Sequence, residues 1–232
     1  MYDNESNYHS HESTSTTEIN QNTEITTDIV NTTIFTSSES TTTESSTESS
    51  TEAPVMLIDN VKLFERYHWD ANSPSDYIKE LKLPIKRIII AHTATNTCEF
   101  EEDCKDIVKS VQVKNADLKD IPFNFLIGGD GNVFTGRGFN FEGEHSAIVN
   151  TTSYNNIGIC VAFIGNFSSS ELSMNQIEAF EIFIKYFVED GKIDKNYELF
   201  LQDQLVKVKV SADALYEIVK SWKNFHEGTK KH

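Results

Sequence analysis

The chain has 232 residues, with 36 Asp and Glu against 20 Lys and Arg, and a formal net charge of -16. That balance excludes a nucleic-acid surface, which needs a basic face against phosphate, and argues against binding to an anionic membrane. No uninterrupted apolar stretch is long enough to span a bilayer.

The first segment, residues 1–54, is rich in Ser, Thr and Glu and contains ten acids but no Lys or Arg, leaving -6 for the rest. Such a segment buries too little apolar surface to offset its ordering entropy, so a disordered tail is expected. Its composition fits an O-glycosylated stalk and a plain solvated tail equally. The start, Met1-Tyr2-Asp3-Asn4-Glu5, lacks the basic and apolar regions of a signal peptide. A mature form, a fragment or a chain outside the standard secretory route all fit it. Sequons stand at Asn4, Asn31, Asn150 and Asn166 and matter only in a secreted chain.

A globular pattern covers 55–232. Val61–Glu65 leads toward Trp69, and Ile85 to His92 reads as a buried strand after Pro84. Glu99–Val113 carries Ile107, Val108, Val111 and Val113 at helical spacing. Cys98 and Cys104 can close a short loop, and a disulfide is favoured over a zinc pair because no second pair follows. Phe123–Ile127, then Gly128-Gly129-Asp130-Gly131, then Asn132–Phe134 reads as strand, turn, strand. The glycines lack the Gly-Lys-Ser/Thr and helix start of a phosphate loop. Ile157–Phe163 reads as a further buried strand holding Cys160 as a core thiol. Ser173–Val188 is a helix with Ser173 and Gln176 as a capping box and Ile177, Phe180, Phe183, Ile184, Phe187 and Val188 on its core face. Leu215, Ile218, Val219 and Trp222 mark a last helix with Ser211 as its cap. Strands mixed with three helices give an α/β or α+β fold, a mainly mixed sheet flanked by helices.

Several blocks, in order, carry a resemblance: Arg66-Tyr67-His68-Trp69, Leu83-Pro84-Ile85, His92-Thr93-Ala94-Thr95 with the Cys pair behind it, Phe123 to Gly128, Gly136-Arg137-Gly138-Phe139, Gly143-Glu144-His145-Ser146, Ile157-Gly158-Ile159, and Leu215-Tyr216 with Trp222. Residues of about 57–226 resemble the peptidoglycan recognition protein domain, which shares its fold with bacteriophage-type zinc amidases. The resemblance is nearest to the long, non-amidase insect members with an extended N-terminal region.

It implies a site. In the amidase members three residues hold zinc, and His92 matches the first. Counted back from Leu215-Tyr216 without gaps, Gln202 and Val210 stand at the other two. Asp203 is adjacent but leaves the set short of the three protein ligands that a catalytic zinc needs. The tyrosine used by amidases near the reacting carbonyl has no match in Val113–Lys119, which is also about three residues short. No other group here polarises an amide carbonyl in place of a metal. A Ser146/His145/acid triad fails because adjacent residues point apart. The expectation is therefore no enzyme activity and no cofactor.

The resemblance also implies ligand contact at His92, Arg137 and His145. An arginine fork at Arg137 suits the extra carboxylate of a diaminopimelate-type muropeptide. The short Val113–Lys119 wall, and Glu144 beside the histidine, argue for weak binding or none. The expected function is a receptor, co-receptor or regulator in the innate immune response to bacteria, acting with other recognition-type proteins. The rivals are a zinc-dependent N-acetylmuramoyl-L-alanine amidase and a ligand-free domain that only pairs with proteins. Tail, sequons and Cys pair point to an extracellular or cell-surface protein, with a cytoplasmic form left open.

Overall fold

The computed structural model describes residues 55–74, 79–146, 148–149, 152–168, 170–205 and 213–227. The Ser/Thr-rich tail, the sequons at Asn4, Asn31 and Asn150, and Val210 and Ser211 lie outside the described residues. Nine strands and three α-helices are described: β1 Met56–Ile58, β2 Val61–Phe64, β3 Ile85–His92, α1 Glu101–Lys114, β4 Phe125–Ile127, β5 Val133–Thr135, β6 Ile148–Val149, β7 Thr152–Ser153, β8 Ile159–Phe163, α2 Met174–Glu189, β9 Ile193–Leu201 and α3 Asp213–Val219.

Seven strands form one mixed sheet in the order β1-β2-β5-β4-β8-β3-β9, and β6 and β7 form a small hairpin. β3 runs parallel to both its neighbours, β8 and β9. Parallel strands covered on both faces need apolar residues at every position, not at alternate ones. The Ile88-Ile89-Ile90-Ala91 run meets that need, with each residue 0–1% exposed. Ile88 and Ile90 pack with Phe180, Phe183, Ile184 and Phe187 of α2 and with Leu215 and Val219 of α3. Ile89 and Ala91 pack with Cys104, Val108 and Val111 of α1. The sheet therefore separates two apolar cores, and Cys160 sits fully buried in the second as a free thiol.

α2 follows the expected pattern closely. Its capping box is formed, with Ser173 accepting from the Gln176 backbone and the Gln176 side chain accepting from the Ser173 N–H. Gln176 is itself 1% exposed and donates to the carbonyls of Ile127 and Ile164, at the ends of β4 and β8. α3 ends at Val219, earlier than expected. Trp222 lies beyond it in a turn, where it stacks on Phe180 at 4.6 Å. β1 and β9 are additions to the sequence-based reading. β9 is half polar at Asp194-Lys195-Asn196, and its pairing with β3 jumps from Ile85–Ile193 to Arg87–Glu198. That irregularity breaks the alternation by which strands are read from sequence.

The Cys98–Cys104 disulfide is formed and joins the Thr93–Phe100 loop to α1. The hairpin turn between β4 and β5 presses on it: a Cβ on Gly129 would lie 2.1 Å from the Cys98 carbonyl oxygen. Asn124, 0% exposed, is the hub of the loops above the sheet. Its Nδ2 donates to the carbonyls of Gly138 and Phe141, each at 2.8 Å, and its Oδ1 accepts from the Cys160 N–H at 3.0 Å. Asn124→Ala strands a buried backbone N–H and two carbonyls. We expect a loss of about 3–5 kcal/mol, read as a lower urea midpoint with an unchanged slope.

Candidate functional site

His92 is the first polar residue at the exit of β3 and is 7% exposed. Its Nδ1 accepts from the Phe167 N–H at 3.2 Å. That bond places the proton of the neutral ring on Nε2, which is buried and has no hydrogen-bond partner among the described residues. Burial lowers the pKa of His92, and the Gly165 backbone works against the shift.

Gln202 begins a short 3-10 turn directly after β9. Ile90 is paired with Leu201, so Gln202 comes level with Ala91, one residue before His92. Its Nε2 donates to the His145 carbonyl. A side chain from the sheet thus reaches the loop that carries the second histidine.

His145 is 5% exposed. The loop around it is held by Asn155, whose Oδ1 accepts from the N–H groups of His145 and Ser146 while its Nδ2 donates to the Ser146 carbonyl. The imidazole Nδ1 lies 2.7 Å from Ser146 Oγ, and Nε2 is buried without a partner among the described residues. Close approach makes Gly143 necessary, since a Cβ there would lie 2.3 Å from His145 Cδ2. Burial, with the Arg137 charge added, lowers the His145 pKa to about 3.

Arg137 follows β5 and is 6% exposed. Its guanidinium binds three backbone carbonyls: Nε donates to Ile121 at 2.7 Å, one terminal nitrogen to Glu142 at 2.9 Å and the other to Leu118 at 2.9 Å. A guanidinium has five N–H groups, so two are without an acceptor among the described residues. Burial lowers its pKa, while Asp120 and Glu144 favour its charge and Arg66 opposes it. Among the described residues, Glu144 forms no ion pair with it and acts through its charge alone. The Leu118 bond matters for the site's shape, because it pins the short segment after α1 against the loop that follows β5.

A second polar network backs this wall. Asp120 is 4% exposed and accepts from Arg66, from Gln112 Nε2 at 2.7 Å and from the Ile121 N–H at 2.8 Å. Asn124, Asn155 and the Gln112–Asp120 pair were not singled out as functional in the sequence. They are ordinary polar residues flanking strands, and only their burial marks them.

Among the described residues, no three His, Cys, Asp or Glu side chains are placed to hold one metal ion. Gln202 is present as an amide donor to a carbonyl. Valine, at position 210, has no donor atom.

The burial of His145 sets a pH dependence. Its pKa falls from 6.5 in the unfolded chain to about 3 in the fold, so the unfolded state binds the extra proton between those values. Stability is fully present above about 6.5 and is lost as pH falls toward 3, with a slope of up to about 1.4 kcal/mol per pH unit from this group. His92 acts in the same direction. Urea unfolding across this range should show the slope, and His145→Asn should flatten it.

Residues 81–220 match the family described as Amidase_2, N-acetylmuramoyl-L-alanine amidase. Mouse peptidoglycan recognition protein 3 is 34% identical over 163 residues, 69% of this chain and 45% of the mouse protein. The chain thus spans just under half the length of that relative. Two solved structures are similar in fold. One is tracheal cytotoxin bound to the ectodomain complex of the peptidoglycan recognition proteins LCa and LCx, with a TM-score of 0.66 and 32% identity over 71% of this chain and 98% of that one. The other is the recognition protein LE, known from Drosophila melanogaster, with tracheal cytotoxin, a monomeric diaminopimelic acid-type peptidoglycan; its TM-score is 0.66, with 28% identity over 73% of this chain and 98% of that one. By its matched residues and its fold, the chain belongs to the N-acetylmuramoyl-L-alanine amidase family, as a peptidoglycan recognition protein domain.

Proposed function

We propose that this protein recognises peptidoglycan fragments without cutting them and serves as a receptor, co-receptor or regulator in the innate immune response to bacteria. The observation that carries this reading is the bond from Gln202 Nε2 to the His145 carbonyl. The side chain that aligns with an amidase zinc ligand is a strut here. It holds the His145 loop to the end of β9 and offers the metal no imidazole. A catalytic zinc needs three protein ligands and an open position, and His92 alone is a poor start.

The ligand in this reading is a diaminopimelate-type muropeptide bound over His92, Arg137 and His145. Two imidazole Nε2 atoms are buried without protein partners, and such atoms gain most from a ligand that satisfies them. Arg137 keeps two N–H groups beyond its three carbonyl bonds, and a carboxylate is their natural acceptor. The partners of a similar protein in its solved complex, tracheal cytotoxin and a second recognition protein, agree with this ligand and with a pairing role. Among the described residues no helix is long and apolar enough to cross a membrane. An extracellular or cell-surface location is part of the proposal.

Calorimetric titration of the full chain with a diaminopimelate-type muropeptide, with and without zinc, tests the reading. We expect saturable binding that is indifferent to zinc and leaves no cleavage product. His145→Ala should weaken binding by about tenfold, the value of one hydrogen bond. Zinc-dependent cleavage would establish the amidase instead, and no heat in either condition would leave a domain that acts through protein pairing alone.

Native mass spectrometry gives a separate check. The purified protein should carry no stoichiometric zinc. The double variant Gln202→His with Val210→Cys should acquire it, because His92 then has two further ligands of the types that zinc prefers.

A further inference from the structure

The turn after β8 carries a sequon, Asn166-Phe167-Ser168, that the recognition reading does not use. Two bonds fix this turn to the end of β3. The Gly165 N–H donates to Thr93 Oγ1 at 3.0 Å, and the Phe167 N–H donates to His92 Nδ1 at 3.2 Å. Phe167 is fully buried, with its ring 6.2 Å from that of His92. Asn166, between the two anchors, is exposed. Standard bond lengths then put its Cα no more than about 6 Å from His92 Nδ1. Its Oδ1 accepts from the Ser168 N–H at 3.2 Å and from Ser168 Oγ at 2.7 Å. Its Nδ2, the atom that would be modified, has no hydrogen bond among the described residues. The turn holds the amide outward, with the oxygen engaged by the sequon hydroxyl and the nitrogen free.

We propose that Asn166 is an N-glycosylation site and that its glycan restricts access to the His92 end of the recognition site. The second part rests on the proposed function. The donor is an oligosaccharide on a lipid diphosphate, supplied in the secretory pathway. Asn166 Nδ2 attacks C1 of the first sugar, and an N–C1 bond forms. The C1–O bond to the lipid diphosphate breaks, the diphosphate leaves with the electron pair, and one Nδ2 proton passes to a base. The product is bulky and hydrophilic. It grows from an exposed residue whose neighbours on both sides bond to His92 and Thr93. A turn pinned at two points does not swing the chain of sugars away from the site. Without modification, Asn166 is simply a turn residue that accepts from the backbone two positions on, a common use of Asn.

The test is to secrete the full chain from insect cells, as wild type and as Ser168→Ala. That variant keeps Asn166 and the fold but loses the sequon. Peptide mass mapping reads the modification, and titration with the diaminopimelate-type muropeptide reads access. We expect a carbohydrate mass on the wild-type Asn166 peptide, none on the variant, and binding about tenfold tighter in the variant. An unmodified Asn166 in secreted wild type overturns the site. Equal affinities of glycosylated wild type and variant overturn the gate and leave the site standing. If neither form binds, the recognition reading fails and takes the gate with it, while the peptide mass still decides the modification.

Discussion

The constraint on which the rest depends is the double burial of β3. A parallel strand with a helical layer on each face has no solvent side, so Ile88, Ile89, Ile90 and Ala91 must all be apolar. The first residue free to be polar is the one where the sheet runs out, and that residue is His92. The same geometry brings β8 and β9 to an end beside it, because both run parallel to β3. Three chain segments therefore leave the sheet at one place: Thr93 onward, Ile164 onward and Gln202 onward. The functional end of the molecule is a consequence of strand direction before any particular side chain is considered.

What stands above that edge is built from side chains bonded to backbone. Asn124 holds the loop after β5, Asn155 holds the His145 turn, Gln176 holds the ends of β4 and β8, and Gln202 joins the sheet to the His145 loop. Arg137 joins three segments through three carbonyls. A loop crossing over a buried sheet has peptide groups that neither water nor a ladder satisfies, and each costs about 1–3 kcal/mol if left unpaired. Long polar side chains satisfy them at a distance. The cost of this solution is conformational freedom, and the gain is a surface held in one shape, which is what recognition of a stiff ligand requires.

Much of the fold was legible in the sequence. β3, β8, the β4–β5 hairpin and α2 announce themselves through apolar runs, an Asp-Gly turn and a capping box. β9 did not, because its polar middle and shifted register remove the period on which strand reading depends. The C-terminal end of α3 was misjudged for a different reason: Trp222 continues the apolar spacing of the helix while lying in a turn beyond it. At the site, the resemblance pointed to His92, Arg137 and His145, and all three are buried. It gave no sign that Arg137 is engaged by carbonyls, because a bond to backbone leaves no mark on the identity of the partner residue. Nothing in the sequence signalled that the Gln202 side chain donates to the His145 carbonyl.

In the recognition reading proposed above, Gln202 gives this fold a way to hold its site without a metal. A zinc ion held between the end of β3 and the residue after β9 would act as a cross-link, and removing a cross-link loosens what it joined. Replacing an imidazole with a shorter polar side chain would leave two loops with nothing between them. An amide that donates to the His145 carbonyl ties the residue after β9 to the His145 loop instead, at the strength of a hydrogen bond and not of a coordination bond. The two imidazoles then keep their buried, neutral state with Nε2 unpartnered. A neutral ring with an open nitrogen is a poor device for activating water and a good one for meeting a polar ligand. In the proposed reading the chemistry of the site is that of binding, carried by a scaffold that a hydrogen bond from Gln202 helps to close.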